Sequence, residues 1–285
     1  MNKADHYMLE GIHNILENGY KDVNPRPKYA DGTPAHTISV NHVTRTYDIS
    51  KGEFPVTSLR HIAWKSAIKE ILWIYQDATS DLEVLNNKYG VHYWNDWESK
   101  DVPGTIGHRY GYKIKKEDSI NKLIRNIQQD PYGRRKIINL WDETDFRETD
   151  GLFPCAFLTM WNVRDEYLDM MLVQRSGDMM AASGGGGINE FQYAALLMMI
   201  ARHTGYQPGV FTHVVANEQI YDRHIEVAED MLKRGKTLEE REDAEIKPML
   251  VLNTEKKDFF AMTIDDFELK DYNPVKPNYQ LDLGI

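Results

Sequence analysis

Four β-rich runs, residues 136–141, 157–163, 167–173 and 209–215, are strung along the second half of this 285-residue chain. Between the last two lies its longest helical stretch, from Asn189 to about His203, closed by Gly205. Other helical patterns precede and follow them, and no βαβ unit repeats at a regular period. Such an order predicts an α+β fold, a mixed multi-stranded sheet flanked by helices, and argues against a doubly wound one. No internal repeat divides the chain, which is read as one domain over residues 1–285.

The remaining elements follow from periodicity and punctuation. Met8, Leu9, Ile12, Ile15 and Leu16 recur at helical spacing, with Asp5 placed to cap the start and Gly19 to stop the end. Residues 20–36 are rich in Pro, Asp and Gly and read as loop. Residues 37–48 suggest a strand or hairpin, and 62–75 a helix with Ile62, Ile68, Ile71, Leu72 and Tyr75 on its apolar face. The irregular aromatic stretch 91–111 suits a loop that carries function. Helices are expected over 119–129 and 220–234, and short strands over 249–252 and 267–272.

Composition excludes several classes. A formal net charge of −10 is unsuited to generic binding of polyanions, although a small phosphate needs only a few well-placed arginines. No run of eighteen apolar residues is present, and the N-terminus carries no signal-like hydrophobic stretch. With a single cysteine as well, a reducing cytoplasm is the expected compartment.

That cysteine, Cys155, follows Pro154 at the start of the 157–163 run. A phosphatase would need arginine six positions on, where Trp161 stands, and a papain-like nucleophile would open a helix. What remains is a thiol near a strand start with arginines available to lower its pKa. Arg175 lies beyond the next strand, so a tight hairpin would return it to Cys155. Gln174, Arg175, Ser176 and Asp178 then place anion-binding donors and a carboxylate in one turn. Arg134 and Arg135 offer two guanidiniums for bidentate phosphate binding. The run Gly184–Gly187 meets neither the Walker nor the dinucleotide pattern and reads as a flexible turn entering a helix, or as a linker-like segment. Ten scattered histidines show no HExxH spacing, and no metal is expected.

In this order the motifs resemble the thymidylate synthase family over nearly the whole chain. Phe54-Pro55 and Glu70-Ile71-Leu72-Trp73 are similar to its FP…ELLW segment. Trp94-x-x-Trp97 with Gly107-x-x-Tyr110-Gly111 resembles its WxxW…GxxYG segment. Arg134-Arg135, Pro154-Cys155, Gln174-Arg175-Ser176-x-Asp178 and Ile220-Tyr221-x-x-His224 complete the match. Three departures stand out: Ala156 where the family commonly has His, Gln219 in place of His, and a longer glycine-rich stretch where LGxPFN is usual.

The resemblance implies methylation of dUMP to dTMP, with 5,10-methylenetetrahydrofolate giving both carbon and hydride. It implies Cys155 as nucleophile at uracil C6, with Glu70, Tyr110 and Arg175 as catalytic partners. Arg26, Arg134, Arg135, Gln174, Arg175, Ser176, Asn189, Gln219 and Tyr221 would bind the nucleotide, with Asn189 reading the uracil edge. Asp178, Trp94, Trp97 and Arg60 would line the folate. It also implies a homodimer paired through a sheet face, with Arg134 and Arg135 donated to the partner's site, and neither membrane nor obligatory nucleic acid as partner. A nucleotide hydroxymethylase and a weakly active nucleotide- or RNA-binding regulatory dimer are the alternatives. Asn189 favours uracil chemistry, since cytosine-specific relatives carry aspartate there.

Overall fold

The structure, a computed structural model, describes residues 1–244, 246–282 and 284. Its centre is a seven-stranded mixed sheet. Strands β2 (Thr37–Asp48) and β7 (Gln207–Tyr221) form a long antiparallel spine, in register from Thr37–Tyr221 to Asp48–Val210. β7 also pairs in parallel with β5 (Tyr167–Gln174). Parallel neighbours require a crossover, and helix α6 (Ile188–Thr204) supplies it between the two. β4 (Ala156–Arg164) folds back on β5 as a hairpin, and β3 (Ile137–Asn139) closes that edge. β1 (Tyr20–Lys21) closes the other, while the two-residue β6 (Gly177–Asp178) extends the parallel pairing along β7. A separate ribbon joins β8 (Met249–Leu252) to β9 (Phe267–Lys270).

Burial follows the pleat. Leu168, Met170, Leu172 and Gln174 of β5 are buried, while Tyr167, Asp169, Met171 and Val173 between them are only partly covered. The inner face packs on α6, which is buried without interruption from Glu190 to Leu197 and so behaves as a core helix. Each fully buried Leu or Phe there stabilises by about 1.5–3 kcal/mol. Helix α2 (Trp64–Ile71) lies against α6 and runs on into a wider π-type turn over Leu72–Gln76. Helices α1 (Lys3–Asn18), α3 (Gly111–Glu117), α4 (Ser119–Gln129), α5 (Glu143–Glu148) and α7 (Ile225–Glu239) complete the layer.

Four expectations need correction. Asn2, not Asp5, caps α1; Asp5 is the return arm of a capping box, accepting from the Asn2 N–H at 3.0 Å. Gly19 does end α1 as expected, but as an extended C-cap (φ −71°) rather than a C′ residue, and its backbone comes so close to Ile15 O that a Cβ would stand 2.3 Å away. The expected helix from Ile220 begins at Ile225, because Ile220 and Tyr221 pair with Ile38 and Thr37. Local periodicity yields there to a strand partner distant in sequence.

The glycine run is the fourth. All four of its residues are buried. Gly186 adopts φ +66°, and a Cβ on it would stand 2.3 Å from Thr57 N; one on Gly185 would stand 2.6 Å from Met8 N. The segment is a seam where α1, the irregular stretch 54–57 and the start of α6 meet backbone to backbone. It reads as flexible only when its neighbours are unknown.

Candidate active site

The β4–β5 hairpin brings the thiol and its arginine together. The Arg175 N–H donates to Cys155 O at 2.9 Å, one step beyond the Ala156–Gln174 pair. Arg175 Nη2 then reaches Cys155 Sγ at 3.4 Å, while Nε donates to Pro154 O at 3.0 Å and Nη2 to Phe153 O at 2.7 Å. Three protein acceptors thus hold the guanidinium in one pose. Burial pushes the Cys155 thiol up, and Arg175 and Arg26 pull it down by less. The expected net depression by arginine is therefore absent here, because desolvation prevails over the nearby charges.

Tyr110 lies directly behind the cysteine, its Oη accepting the Cys155 N–H at 3.1 Å. Its backbone has a positive φ (46°, with ψ −104°), a conformation costing about 1–3 kcal/mol for a bulky residue. The next residue must be glycine, since a Cβ on Gly111 would stand 2.1 Å from Thr79 O. Trp94 packs edge-on against Tyr110 at 5.3 Å and at a tilt against Trp73 at 6.2 Å, so it is part of the core. Trp97 touches Trp94 at 5.6 Å and is more open.

Glu70, on α2, is buried and accepts from the Tyr93 hydroxyl. Burial raises its carboxyl, and Tyr93, Gln192 and Trp94 lower it by less. Desolvation thus outweighs these hydrogen bonds and favours the protonated carboxyl.

Gln174, Ser176 and Asn189 meet at the C-terminal end of β5. Gln174 Nε2 donates to Ser176 O at 2.9 Å and to Asn189 Oδ1 at 3.2 Å. Gln219 is satisfied with its amide nitrogen facing Gly177 O at 2.9 Å, which turns its oxygen toward Ser176 Oγ. Tyr221 ends β7 with its hydroxyl pushed up to about 12, chiefly by burial and by Asp178, with Cys155 adding to the rise and Arg26 opposing it. Asp178 Oδ1 caps the next turn, accepting from Met180 and Ala181 N–H at 3.0 Å each. Arg60 holds that turn through Ala181 O at 3.1 Å, while its buried Nε has no partner among the described residues.

Two expected site residues stand apart. Arg134 and Arg135 are exposed in the loop before β3, and the cations that bear on the thiol are Arg175 and Arg26. His108, Asp145 and Glu148 gather ligand atoms within 4.8 Å, but Lys116 Nζ, 2.5 Å from Asp145 Oδ1, already supplies that carboxylate's counter-charge.

Sequence reasoning passed over Tyr93, Gln192, and a buried cluster of Arg45, Glu190, Glu218 and His213. A signal existed for the cluster: Arg45 and His213 occupy inward positions of β2 and β7, where apolar residues are the rule. Glu190 follows Asn189 directly.

The comparisons agree with this geometry. The family model for thymidylate synthase matches residues 6–283. Thymidylate synthase of Streptococcus pneumoniae (strain 70585) is 51% identical over 290 aligned residues, covering 100% of both chains. That of Streptococcus sanguinis (strain SK36) is 50% identical with the same coverage. The solved thermostable thymidylate synthase A from Bacillus subtilis superposes with a TM-score of 0.87 at 34% identity, covering 99% of each chain. With a thiol backed by a fixed arginine and by matching motifs along the whole chain, this protein belongs to the thymidylate synthase family.

Proposed function

We propose that this chain converts dUMP to dTMP, taking both the carbon and the hydride from 5,10-methylenetetrahydrofolate. Within the family, the observation that carries this reading is Arg175 Nη2 held 3.4 Å from Cys155 Sγ. Cys155 adds to uracil C6 as its proton departs, which makes C5 nucleophilic toward the folate methylene. Arg175, fixed by Phe153 O and Pro154 O, steadies the developing thiolate and, with Arg26 and Ser176, the nucleotide phosphate. Asn189 accepts from N3–H and donates to O4, a pairing that cytosine cannot return. Tyr221 and Gln219 flank the ribose. Glu70 and Tyr110 manage proton transfer at the ring, and removal of the C5 proton falls to that pair. Asp178, Arg60, Trp94 and Trp97 form the folate wall.

The working unit is a homodimer, each subunit one catalytic domain spanning residues 1–285. Support comes from the outer sheet face, where Ile137, Met160, Met171 and Thr212 form one cross-strand row. Leu158, Val173 and Val214 form the next, and none of the seven is buried. An apolar face of this extent fits a second copy. Pairing there would carry the exposed Arg134 and Arg135 to the partner's phosphate site. No helix of the described residues is long and apolar enough to cross a membrane, which accords with action in the cytoplasm.

The test mixes purified protein with dUMP and the folate and follows dihydrofolate and dTMP. Both products should appear in equal amounts, and Cys155→Ser should lose at least about a thousandfold in rate. Release of the C5 hydrogen without dihydrofolate would instead indicate hydroxymethyl chemistry.

A further inference from the structure

Asn189 can read uracil only if its amide is held the right way round, and the fold sets that polarity from a distance. Two groups of unambiguous polarity bracket the chain of contacts. At one end is Ser176 O, a backbone acceptor, so the Gln174 atom 2.9 Å from it must be Nε2. The same nitrogen therefore donates onward to Asn189 Oδ1 at 3.2 Å, and Gln174 presents its Oε1 to His213 Nε2 at 3.0 Å. At the other end is Glu190. Its carboxylate receives Arg45 Nε at 2.6 Å, the Tyr47 hydroxyl at 2.6 Å and the Gly186 N–H at 2.7 Å, so it is an acceptor only. Its Oε1 faces His213 Nδ1 at 3.0 Å.

Both ring nitrogens of His213 thus face acceptors, and a neutral imidazole can donate from only one. Charge balance in the interior agrees. Arg45, Glu190, Glu218 and His213 are at most 2% exposed. Arg45 donates to Glu190 at 2.6 Å and to both Glu218 oxygens at 2.8 and 2.9 Å. One guanidinium against two carboxylates leaves a buried negative charge, which a protonated His213 cancels.

We propose that His213 is a buried imidazolium and acts as the specificity-determining positioning residue of the nucleotide site. Its Nε2–H pins Gln174 Oε1, Gln174 then pins Asn189 Oδ1, and Asn189 Nδ2 donates to Gln192 Oε1 at 3.3 Å. Each Asn189 atom keeps one unused valence: an acceptor on Oδ1 and a donor on Nδ2. That remainder complements N3–H and O4 of uracil. A neutral His213 accepting through Nε2 would oppose the orientation that Ser176 O imposes on Gln174 and so loosen the polarity of Asn189. The proposal rests on the reading of this site as a dUMP site.

Two measurements test it. In [15N]histidine-labelled wild-type protein near neutral pH, both ring nitrogens of His213 should resonate as protonated, with or without dUMP; one unprotonated nitrogen overturns the proposal. The second compares dUMP and dCMP affinity in the wild type and in His213→Leu with Glu190→Gln. This pair of substitutions removes one charge of each sign and leaves Arg45 opposite Glu218. The dUMP preference should fall about tenfold or more, because Gln174, then oriented by Ser176 O alone, restrains Asn189 less. Equal weakening of both nucleotides, with the ratio unchanged, would mean that His213 only supports the fold and would overturn its specificity role. A wild-type protein binding neither nucleotide overturns the dUMP reading itself, a failure kept separate because the ring nitrogens report without any ligand. Should the double variant not fold, the wild-type spectrum still decides.

Discussion

Two polar regions lie on either side of Gln174 and obey opposite rules. In the buried cluster of Arg45, Tyr47, Glu190, Glu218 and His213, every charge meets its opposite and the carboxylate oxygens accept from several donors. Glu190 Oε2 alone receives the Tyr47 hydroxyl at 2.6 Å and the Gly186 N–H at 2.7 Å. At the thiol, valences are left open: Cys155 is half-buried and, among the described residues, its sulfur is hydrogen-bonded only by Arg175 and, weakly, to Phe153 O at 3.9 Å. The first arrangement specifies geometry and the second leaves room for a substrate to complete it. A site of this kind needs both, because open valences are useful only when their direction is fixed.

Removing one member of the closed cluster should expose this asymmetry most strongly. Arg45→Met leaves Glu190 and Glu218 buried without their guanidinium and should destabilise by about 3–5 kcal/mol in urea unfolding. Cys155→Ser, which breaks only open contacts, should stay within about 0.5 kcal/mol of the parent in the same experiment. Equal losses would abolish the distinction.

Acid should attack the cluster before the thiol. The Glu190 carboxyl is depressed in the folded protein to about 2, so the unfolded chain binds its proton more readily. Its contribution is fully present above the ordinary glutamate range and is lost as pH falls through that range toward about 2. Thermal melting in this window should show a steeper fall for the parent than for Glu190→Gln. The Cys155 thiol is raised and titrates on the alkaline side, so it adds nothing to this acid limb.

A smaller effect on the cluster concerns the glycine seam beside it. Gly186→Ala places a methyl 2.3 Å from Thr57 N at positive φ, and should cost about 1–3 kcal/mol. Its N–H also anchors Glu190 Oε2, so the variant should lose some dUMP selectivity along with stability. Loss of stability alone would place the seam outside the positioning chain.

How much was legible depended on whether a feature is local. The α4 helix and strands β2 and β8 were readable to the residue, because amphipathic periodicity and flanking turn signals are written into short windows. The β4–β5 hairpin was legible for the same reason, and with it the meeting of Cys155 and Arg175. Failures came where a distant partner decided. Ile220 and Tyr221 carry a helical pattern but take the strand offered by β2. Gly184–Gly187 looks unrestrained in isolation, yet three backbones converge on it.

Sequence by itself determined the mixed α+β architecture, the family and the hairpin that brings Arg175 to Cys155, because those follow from periodicity and ordered motifs. Tertiary structure alone decided three things: the protonation balance at Cys155, the packing of the glycine seam, and the polarity relayed through His213. Each depends on how far water is excluded and on which groups face one another across the sheet. Desolvation and hydrogen-bond direction are properties of an assembled interior, and no window of sequence contains them.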